Sequence, residues 1–189
     1  GAEGMAGDEG GGVAVPVHGL RVRGLKACYA AVLALAILVA AFPAAADCTD
    51  PPIPGVDWQR CSFDGLDLSG VDLTGARLRE GSFLRTDFSG AVLAKIEGHR
   101  AKLINADLQG ADLSEAYLFL ADLTKANLAG ARLDGTDLRG AKLYRANLRG
   151  ADLSRARLGD ADLTQADLSG ATWTNGSYVC REGSIGRCN

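Results

Sequence analysis

The chain has 189 residues, of which 23% are charged and 6% aromatic, and its formal net charge at pH 7 is −3. This composition is that of an ordinary soluble chain. So weak a charge argues against a nucleic-acid partner, and also against an electrostatic mimic of nucleic acid.

The first 46 residues are predicted to be a leader and signal peptide. A Gly-rich stretch is followed by three basic residues, an apolar run over 27–42, and small residues that end at Ala46. These are the parts of a secretory signal peptide. We therefore expect cleavage after Ala46, a periplasmic or secreted protein, and no stable membrane span afterwards. An uncleaved anchor is the alternative, although about 16 apolar residues fall short of the roughly 20 that a spanning helix needs.

From Cys61 to Asn175 the sequence repeats every five residues without a break in frame, as in Ala106-Asp107-Leu108-Gln109-Gly110. The pattern A-(D/N/R)-L-x-x runs for 23 units, whose central residue is Leu in 18 and Phe in three. A period of five keeps these residues on one face of neither a helix nor a flat strand. A coil that turns a corner every five residues does so. The central residue and the small residue two positions earlier then point inward.

This stretch resembles the pentapeptide repeat family, whose motif is A-(D/N)-L-x-x. The resemblance implies an all-β fold, a right-handed quadrilateral β-helix with four repeats per coil, so that residues 20 apart lie above one another. We divide the chain into a leader and signal peptide (1–46), an N-terminal cap (47–60), the β-helix (61–175) and a C-terminal cap (176–189).

Four cysteines remain after cleavage at Ala46, and an even count in an exported chain indicates disulfides. With four repeats per coil, Cys61 and Cys180 lie about six coils, or roughly 29 Å, apart. A disulfide needs Cα atoms within about 7 Å. We therefore predict the pairs Cys48–Cys61 and Cys180–Cys188, one at each end of the rod. Free thiols or a zinc site are the alternative, although no Cys-x-x-Cys spacing and no nearby His supports one.

Both ends of such a stack need a lid, because open backbone edges invite unwanted pairing. Val56 and Trp58 are expected to contribute to the N-terminal lid. Trp173, Tyr178 and Ile185 are expected to form the C-terminal lid with the second disulfide.

One predicted face combines corner glycines with a column of Asp and Asn. Its units end in Gly70, Gly90, Gly110, Gly130, Gly150 and Gly170, and the residues before their centres are Asp67, Asp87, Asp107, Asn127, Asn147 and Asp167. Glycine there predicts corners with positive φ or a close approach of the next coil. Stacked carboxylates suggest a cation site. A hydrogen bond from each side chain to a corner amide is the favoured interpretation, and we predict no metal or cofactor.

Two further surfaces are candidates for contact. A basic stripe is predicted on the next face, formed by Arg85, Lys102, Lys125, Lys142 and Arg145; a solvated, solubilising face is the alternative interpretation. Tyr117, Phe119 and Leu120 fall in one repeat and are predicted to form an exposed apolar patch, a contact site or dimer seam.

Gly98 interrupts the column of central residues, yet the frame resumes at Ala101. The expected result is a void, a flattened corner, or a gap that Ile96 partly fills. His99 lies beside it and is expected to be a surface residue, because no catalytic partner is evident.

No nucleophile–base pair, metal-ligand cluster or phosphate-binding loop appears, so we predict a non-enzymatic protein. The leading hypothesis is an exported structural or protein-interaction rod in the cell envelope, with an unknown partner. The resemblance supplies the alternative, since some family members mimic duplex DNA and bind DNA gyrase. The signal peptide, the paired cysteines and the basic stripe depart from that pattern.

Overall fold

A computed structural model describes residues 48–189; the predicted signal peptide lies outside them. That range contains neither helices nor extended strands, and so no helix able to cross a membrane. Single-residue parallel bridges instead join residues twenty positions apart, from Asp57–Arg77 to Asp152–Thr172. Four units thus complete each coil, as expected. The walls are bridges rather than the expected strands because each five-residue side gives two residues to a turn.

The five residues of a unit have distinct backbone roles, and we number them 1 to 5, so that Ala106 is position 1 and Gly110 position 5. In this unit the amides of positions 2, 3 and 5 donate to carbonyls of the adjacent coils at 2.7–3.0 Å, and that of position 1 donates across the preceding corner at 3.1 Å. The position-4 amide has no such partner. Gln109 N donates instead to the position-2 side chain, Asp107 Oδ1, at 3.0 Å.

The same side-chain bond recurs along the predicted Asp/Asn column. All six of its residues accept a hydrogen bond from the position-4 amide of their own unit, at 2.8–3.3 Å. The favoured interpretation of this column is therefore confirmed. Asn127 also relieves repulsion between coils, since its Nδ2 donates to Asp107 Oδ1 at 2.9 Å. At Asp67, the hydrogen bonds from Ser69 hold the carboxyl pKa below its ordinary value.

Position 5 has positive φ at every corner from Gly55 to Gly170. The predicted corner glycines have φ of 63° to 72°. The conformation is not confined to glycine, because 13 non-glycine residues on the other corners also have φ of 56° to 60°. Such residues cost about 1–2 kcal/mol each relative to glycine. The stack imposes the corner whatever residue occupies it.

We expect Lys125→Gly to raise the free energy of unfolding by about 0.5–1 kcal/mol. It relieves the left-handed strain at φ 58°, and only part of that gain is lost to the greater freedom of glycine in the unfolded chain. Lys102→Gly is the matched control, because Lys102 is an exposed lysine at position 2, where the backbone is not left-handed. Urea unfolding should show the two variants shifting in opposite directions; a loss in both would contradict the corner analysis.

Central residues fill the interior as predicted, with Phe83, Leu108 and Leu128 fully buried. Residues at position 1 were also expected to point inward. Leu66 is an exception among them, because it is 49% exposed. Its unit belongs to the first coil, and Asp67 bridges only to the coil that follows, so this part of the core has a neighbour on one side alone.

Gly98 leaves no void. A Cβ atom there would lie 2.7 Å from Leu118 Cδ2 in the next coil and 3.7 Å from Ile96 Cδ1. Of the three expected outcomes, the structure shows the filled gap, with Leu118 contributing more closely than Ile96. Both side chains are at most 1% exposed.

Restoring the repeat consensus by Gly98→Leu should therefore destabilise the protein by about 1–3 kcal/mol, since it overpacks a filled site. Leu118→Ala alone should also be costly, because it removes a buried side chain. The double variant should be more stable than the two separate losses imply, since the new leucine enters the space that Leu118 vacates. A double-mutant cycle in urea measures this; a Gly98→Leu protein as stable as the parent would refute the packing described.

The N-terminal end is closed by Trp58 and a disulfide. Cys48 and Cys61 are joined, with Cα atoms 5.5 Å apart, as expected. Trp58 is 1% exposed, and its Nε1 donates to Asp50 O at 3.1 Å. Asp57 already bridges to Arg77, so Val56 to Arg60 form a repeat unit with Trp in the Leu position, one unit before the expected start.

The C-terminal lid agrees with the prediction only in part. Trp173 packs against the core, as expected. Cys180 and Cys188 are joined, with Cα atoms 4.9 Å apart, and the segment pairs antiparallel with the last coil through Asp167–Ile185 and Thr172–Val179. Tyr178 and Ile185 are 43% and 51% exposed rather than buried. The hairpin turns them outward, so backbone bonds, the disulfide and the buried Ser184 close this end instead.

Candidate functional site

A groove of about 530 Å³ lies on the face whose central residues are Leu78, Gly98, Leu118 and Leu138. It is formed by outward side chains at positions 2 and 4 of four successive coils. Its lining residues are Arg79, Glu97, His99, Tyr117, Phe119, Asp137 and Arg139.

The position-4 column of the groove is a stack of planar groups. The rings of His99 and Phe119 are 5.3 Å apart between centroids and nearly parallel, at 16°. From the coil on the other side, the Arg139 guanidinium carbon lies 5.6 Å from the Phe119 ring centroid. Both faces of Phe119 are thus covered, and the ring presents its edge to solvent at 38% residue exposure.

The position-2 column places Tyr117 between two carboxylates, since it bridges to both Glu97 and Asp137. Its side chain is available for contact, because the residue is 58% exposed, the highest value among the exposed large hydrophobic residues. Tyr117 thus gives the groove an open aromatic surface next to the covered ring of Phe119.

Each carboxylate of the groove is shared by two arginines. Glu97 lies 3.0 Å from Arg79 and 3.8 Å from Arg77. The second set mirrors the first on the other side of Tyr117: Asp137 lies 2.6 Å from Arg139 and 3.6 Å from Arg157. Arg77 also lies 3.1 Å from Asp57 in the coil before it. Four guanidinium groups therefore face three carboxylates, and this set of charges sums to +1.

Asp137 is the more deeply buried of the two carboxylates that line the groove. Its side chain is 9% exposed, and Arg139 binds it through two parallel hydrogen bonds of 2.8 and 2.6 Å, a bidentate geometry. These bonds, with the nearby charges of Arg139 and Arg157, hold the pKa of Asp137 below its ordinary value, although burial opposes the shift. Asp137 is therefore ionised at neutral pH.

Two of the three residues of the predicted contact patch lie in the groove, namely Tyr117 and Phe119. Leu120 lies outside its lining. It occupies a corner and packs over Gly140, where a Cβ atom would come within 2.7 Å of its Cδ2. Leu120 is therefore partly used inside the protein, at 39% exposure. His99 belongs to the same groove, although the sequence offered no reason to join it to this patch.

The predicted basic stripe is divided between two positions of the unit. All five belong to one column of units, in which Arg85, Lys125 and Arg145 occupy the corner (position 5) and Lys102 and Lys142 occupy position 2. Lys142 lies 3.6 Å from Asp122. Arg145 donates to Gln165 Oε1 at 2.5 Å and covers the Tyr144 ring at 5.2 Å. Part of the stripe is therefore engaged internally, and its role as a contact surface stays a prediction.

The fold and groove define a repeat solenoid that presents side chains in columns along a rigid wall. The pentapeptide repeat profile matches residues 46–83, 82–118 and 121–160, in eight copies. The chain therefore belongs to the pentapeptide repeat family. No curated protein sequence matches the chain significantly.

Three solved structures illustrate the likeness. The pentapeptide repeat protein Rfr23 from the cyanobacterium Cyanothece 51142 is 25% identical to this chain. The match covers 62% of this chain and 90% of the Rfr23 chain, with a TM-score of 0.41. A pentapeptide repeat protein from the thylakoid lumen of Arabidopsis thaliana is 28% identical over 60% of this chain and 69% of its own, with a TM-score of 0.28. QnrB1, a plasmid-mediated fluoroquinolone resistance protein, is 22% identical over 69% and 81%, with a TM-score of 0.42.

The stability contributed by Asp137 should be fully present above its ordinary pKa of 3.8 and should be lost as the pH falls through its lowered folded value. Asp137→Asn should therefore reduce the slope of unfolding free energy against pH on the acid side. Asn keeps the bond to the position-4 amide, as Asn127 does with Ala129. Urea unfolding between about pH 2 and 7 measures the slope.

Arg139→Gln is the companion variant, because it removes the donor that lowers the pKa while leaving the carboxyl in place. This variant should also reduce the slope of unfolding free energy against pH on the acid side. Adding Asp137→Asn to Arg139→Gln should then change that slope less than Asp137→Asn does in the parent protein. Equal effects in the two backgrounds would show that the ion pair does not govern this carboxyl.

Proposed function

We propose that this protein is an exported, non-enzymatic interaction module that binds a partner through the groove between Arg79 and Arg139. The single observation that carries this proposal is the preformed constellation of Tyr117, Phe119 and arginines on one wall of the solenoid. Tyr and Arg are among the residues that most often dominate binding energy at protein interfaces. Pentapeptide repeat proteins are generally structural or interaction proteins, which agrees with this assignment.

The groove is held rigid before any partner arrives. Its side chains project from positions 2 and 4. The backbone of Tyr117 donates to Ile96 O and accepts from Gly98 N in the preceding coil, at 2.9 Å each, and the adjacent amide of Leu118 donates to Asp137 O in the next coil at 2.9 Å. The ion pairs with Glu97 and Asp137 further restrict Arg79 and Arg139. A site ordered in advance loses less entropy on binding, which favours affinity.

The composition of the groove favours binding over catalysis. Its lining contains no Ser, Cys or Lys nucleophile. Glu97 and Asp137 are each engaged by two arginines, so neither carboxylate is placed as a general base. His99 is stacked on Phe119.

Export is supported by the two disulfides and by the predicted leader. Disulfides persist in oxidising compartments and are rare in the cytosol, and here one lies at each end of the solenoid. We infer a periplasmic or secreted protein cleaved after Ala46. We also infer the right-handed winding that the family implies, in keeping with the handedness of connections between parallel strands.

The test is site-specific photo-cross-linking in the native host, with a benzophenone amino acid at residue 117 of the full chain. We expect a cross-linked partner in the envelope or secreted fraction. The uncross-linked protein from the same fraction should begin at Asp47 and have an intact mass, without reductant, four hydrogens below that of its reduced form.

Residue 144 supplies the control, because Tyr144 is a tyrosine on a different face. Its ring lies beneath the Arg145 guanidinium. Cross-linking from 144 should not yield the same product. Equal capture from both positions would refute the groove as the binding surface. A cytoplasmic chain with free thiols that keeps residues before Asp47 would refute export.

A further inference from the structure

We propose that the groove accepts an extended acidic segment of a partner protein, with carboxylates at its first and fifth residues and an aromatic side chain at its third. This inference rests on the proposed interaction function and specifies the chemistry of the partner. It follows from the charge, the stacking and the spacing of the groove.

Charge complementarity indicates an anionic partner. The four arginines around the groove outnumber the carboxylates of Asp57, Glu97 and Asp137 by one, and their side chains remain 44–58% exposed. Arg79 and Arg139 lie at opposite ends of the position-4 column. Each retains donors that do not bond to its partner carboxylate, because a guanidinium has five N–H groups. The ends of the groove therefore suit two separate carboxylates.

The stacking of the aromatic groups determines which parts of the rings a peptide can contact. The faces of Phe119 are covered by His99 and Arg139, so a partner meets this ring at its edge. The exposed ring edge carries partial positive charge, which attracts carbonyl and carboxylate oxygens. The open aromatic side chain is Tyr117, and an aromatic residue of the partner can pack against it beside the Phe119 edge.

The spacing of the coils sets the length of the segment. Arg79 and Arg139 are three coils apart, or about 14 Å at the rise of about 4.8 Å per layer. An extended peptide advances about 3.3 Å per residue, so its first and fifth residues are about 13 Å apart. Residues one, three and five lie on the same face of an extended segment. The two acidic residues then meet the arginines, and the central residue meets Tyr117 and Phe119.

The test uses fluorescein-labelled peptides and the disulfide-bonded chain from Asp47 to Asn189, with binding measured by fluorescence anisotropy at low salt. The matched peptide contains Glu-Ser-Phe-Ser-Glu. Its control, Glu-Phe-Ser-Ser-Glu, has the same composition and charge but turns the aromatic ring to the opposite face. We expect the matched peptide to bind at least about tenfold more tightly, and added salt to weaken its binding.

Variants locate the binding. Phe119→Ala and Arg139→Ala should each weaken the matched peptide about tenfold. Tyr144→Ala should leave binding unchanged, because it removes an arginine-covered tyrosine from another face. Thermal unfolding of each variant checks that the solenoid remains folded, which the partial exposure of the substituted residues favours.

Four outcomes would overturn the inference: no binding of the matched peptide at millimolar concentration, equal binding of the two peptides, equal loss in the Tyr144→Ala variant, or displacement of the peptide by oligogalacturonate with higher affinity. The last would assign the groove to an anionic glycan. If the peptide fails while cross-linking from residue 117 still captures a protein, the acidic-segment inference falls and the interaction function stands. Specific peptide binding without any cross-linked partner would support the chemistry of the groove and count against the interaction function in that host.

Discussion

The whole structure depends on the backbone hydrogen bonds between successive coils. Where position 2 is Asp or Asn, its side chain adds a hydrogen bond by accepting from the position-4 amide of the same unit. Four of the five backbone amides of a unit have carbonyl partners in the stack, and this bond supplies the fifth. A buried or half-buried amide without a partner is costly, so an acceptor at position 2 favours the corner. The units with Arg77, Val92 and Tyr117 at position 2 form the same corner without it, because the stack on both sides imposes it. The preference for Asp and Asn before the central Leu follows from the position-2 hydrogen bond.

This backbone arrangement leaves few residues free to vary. Positions 1 and 3 are buried, and position 5 is held in the left-handed region. Position 2 is partly committed to the corner, whereas position 4 can take many side chains without affecting the stack. Surface variation therefore occurs in columns along the rod. The groove consists of two such columns, in which Arg79, His99, Phe119 and Arg139 succeed one another twenty residues apart.

The features that depend on the period of five were predictable from sequence: the coil, the buried Leu column, the disulfide pairing and the hydrogen-bonded Asp/Asn ladder. Features that depend on contacts between coils were not. The space beside Gly98 is filled because the Leu118 side chain extends into it from the next coil. The outward orientation of Tyr178 depends on the antiparallel pairing at the C-terminal end. Tyr117 and Phe119 were recognised as neighbours in sequence, but the arginine–carboxylate sets around them become visible only when the chain is read twenty residues at a time.

The difference between the two periods, five and twenty, has an evolutionary consequence. Losing one unit between Phe119 and Arg139 would leave every corner, core layer and backbone bond with an equivalent replacement, so the solenoid would still form. All later side chains, however, would move around the rod by one side, and Asp137 and Arg139 would reach the neighbouring wall. Such a protein would keep its fold and lose its groove, whereas the loss of four units at once would shorten the rod and keep its faces in phase. Length changes that preserve the groove must therefore come in whole coils.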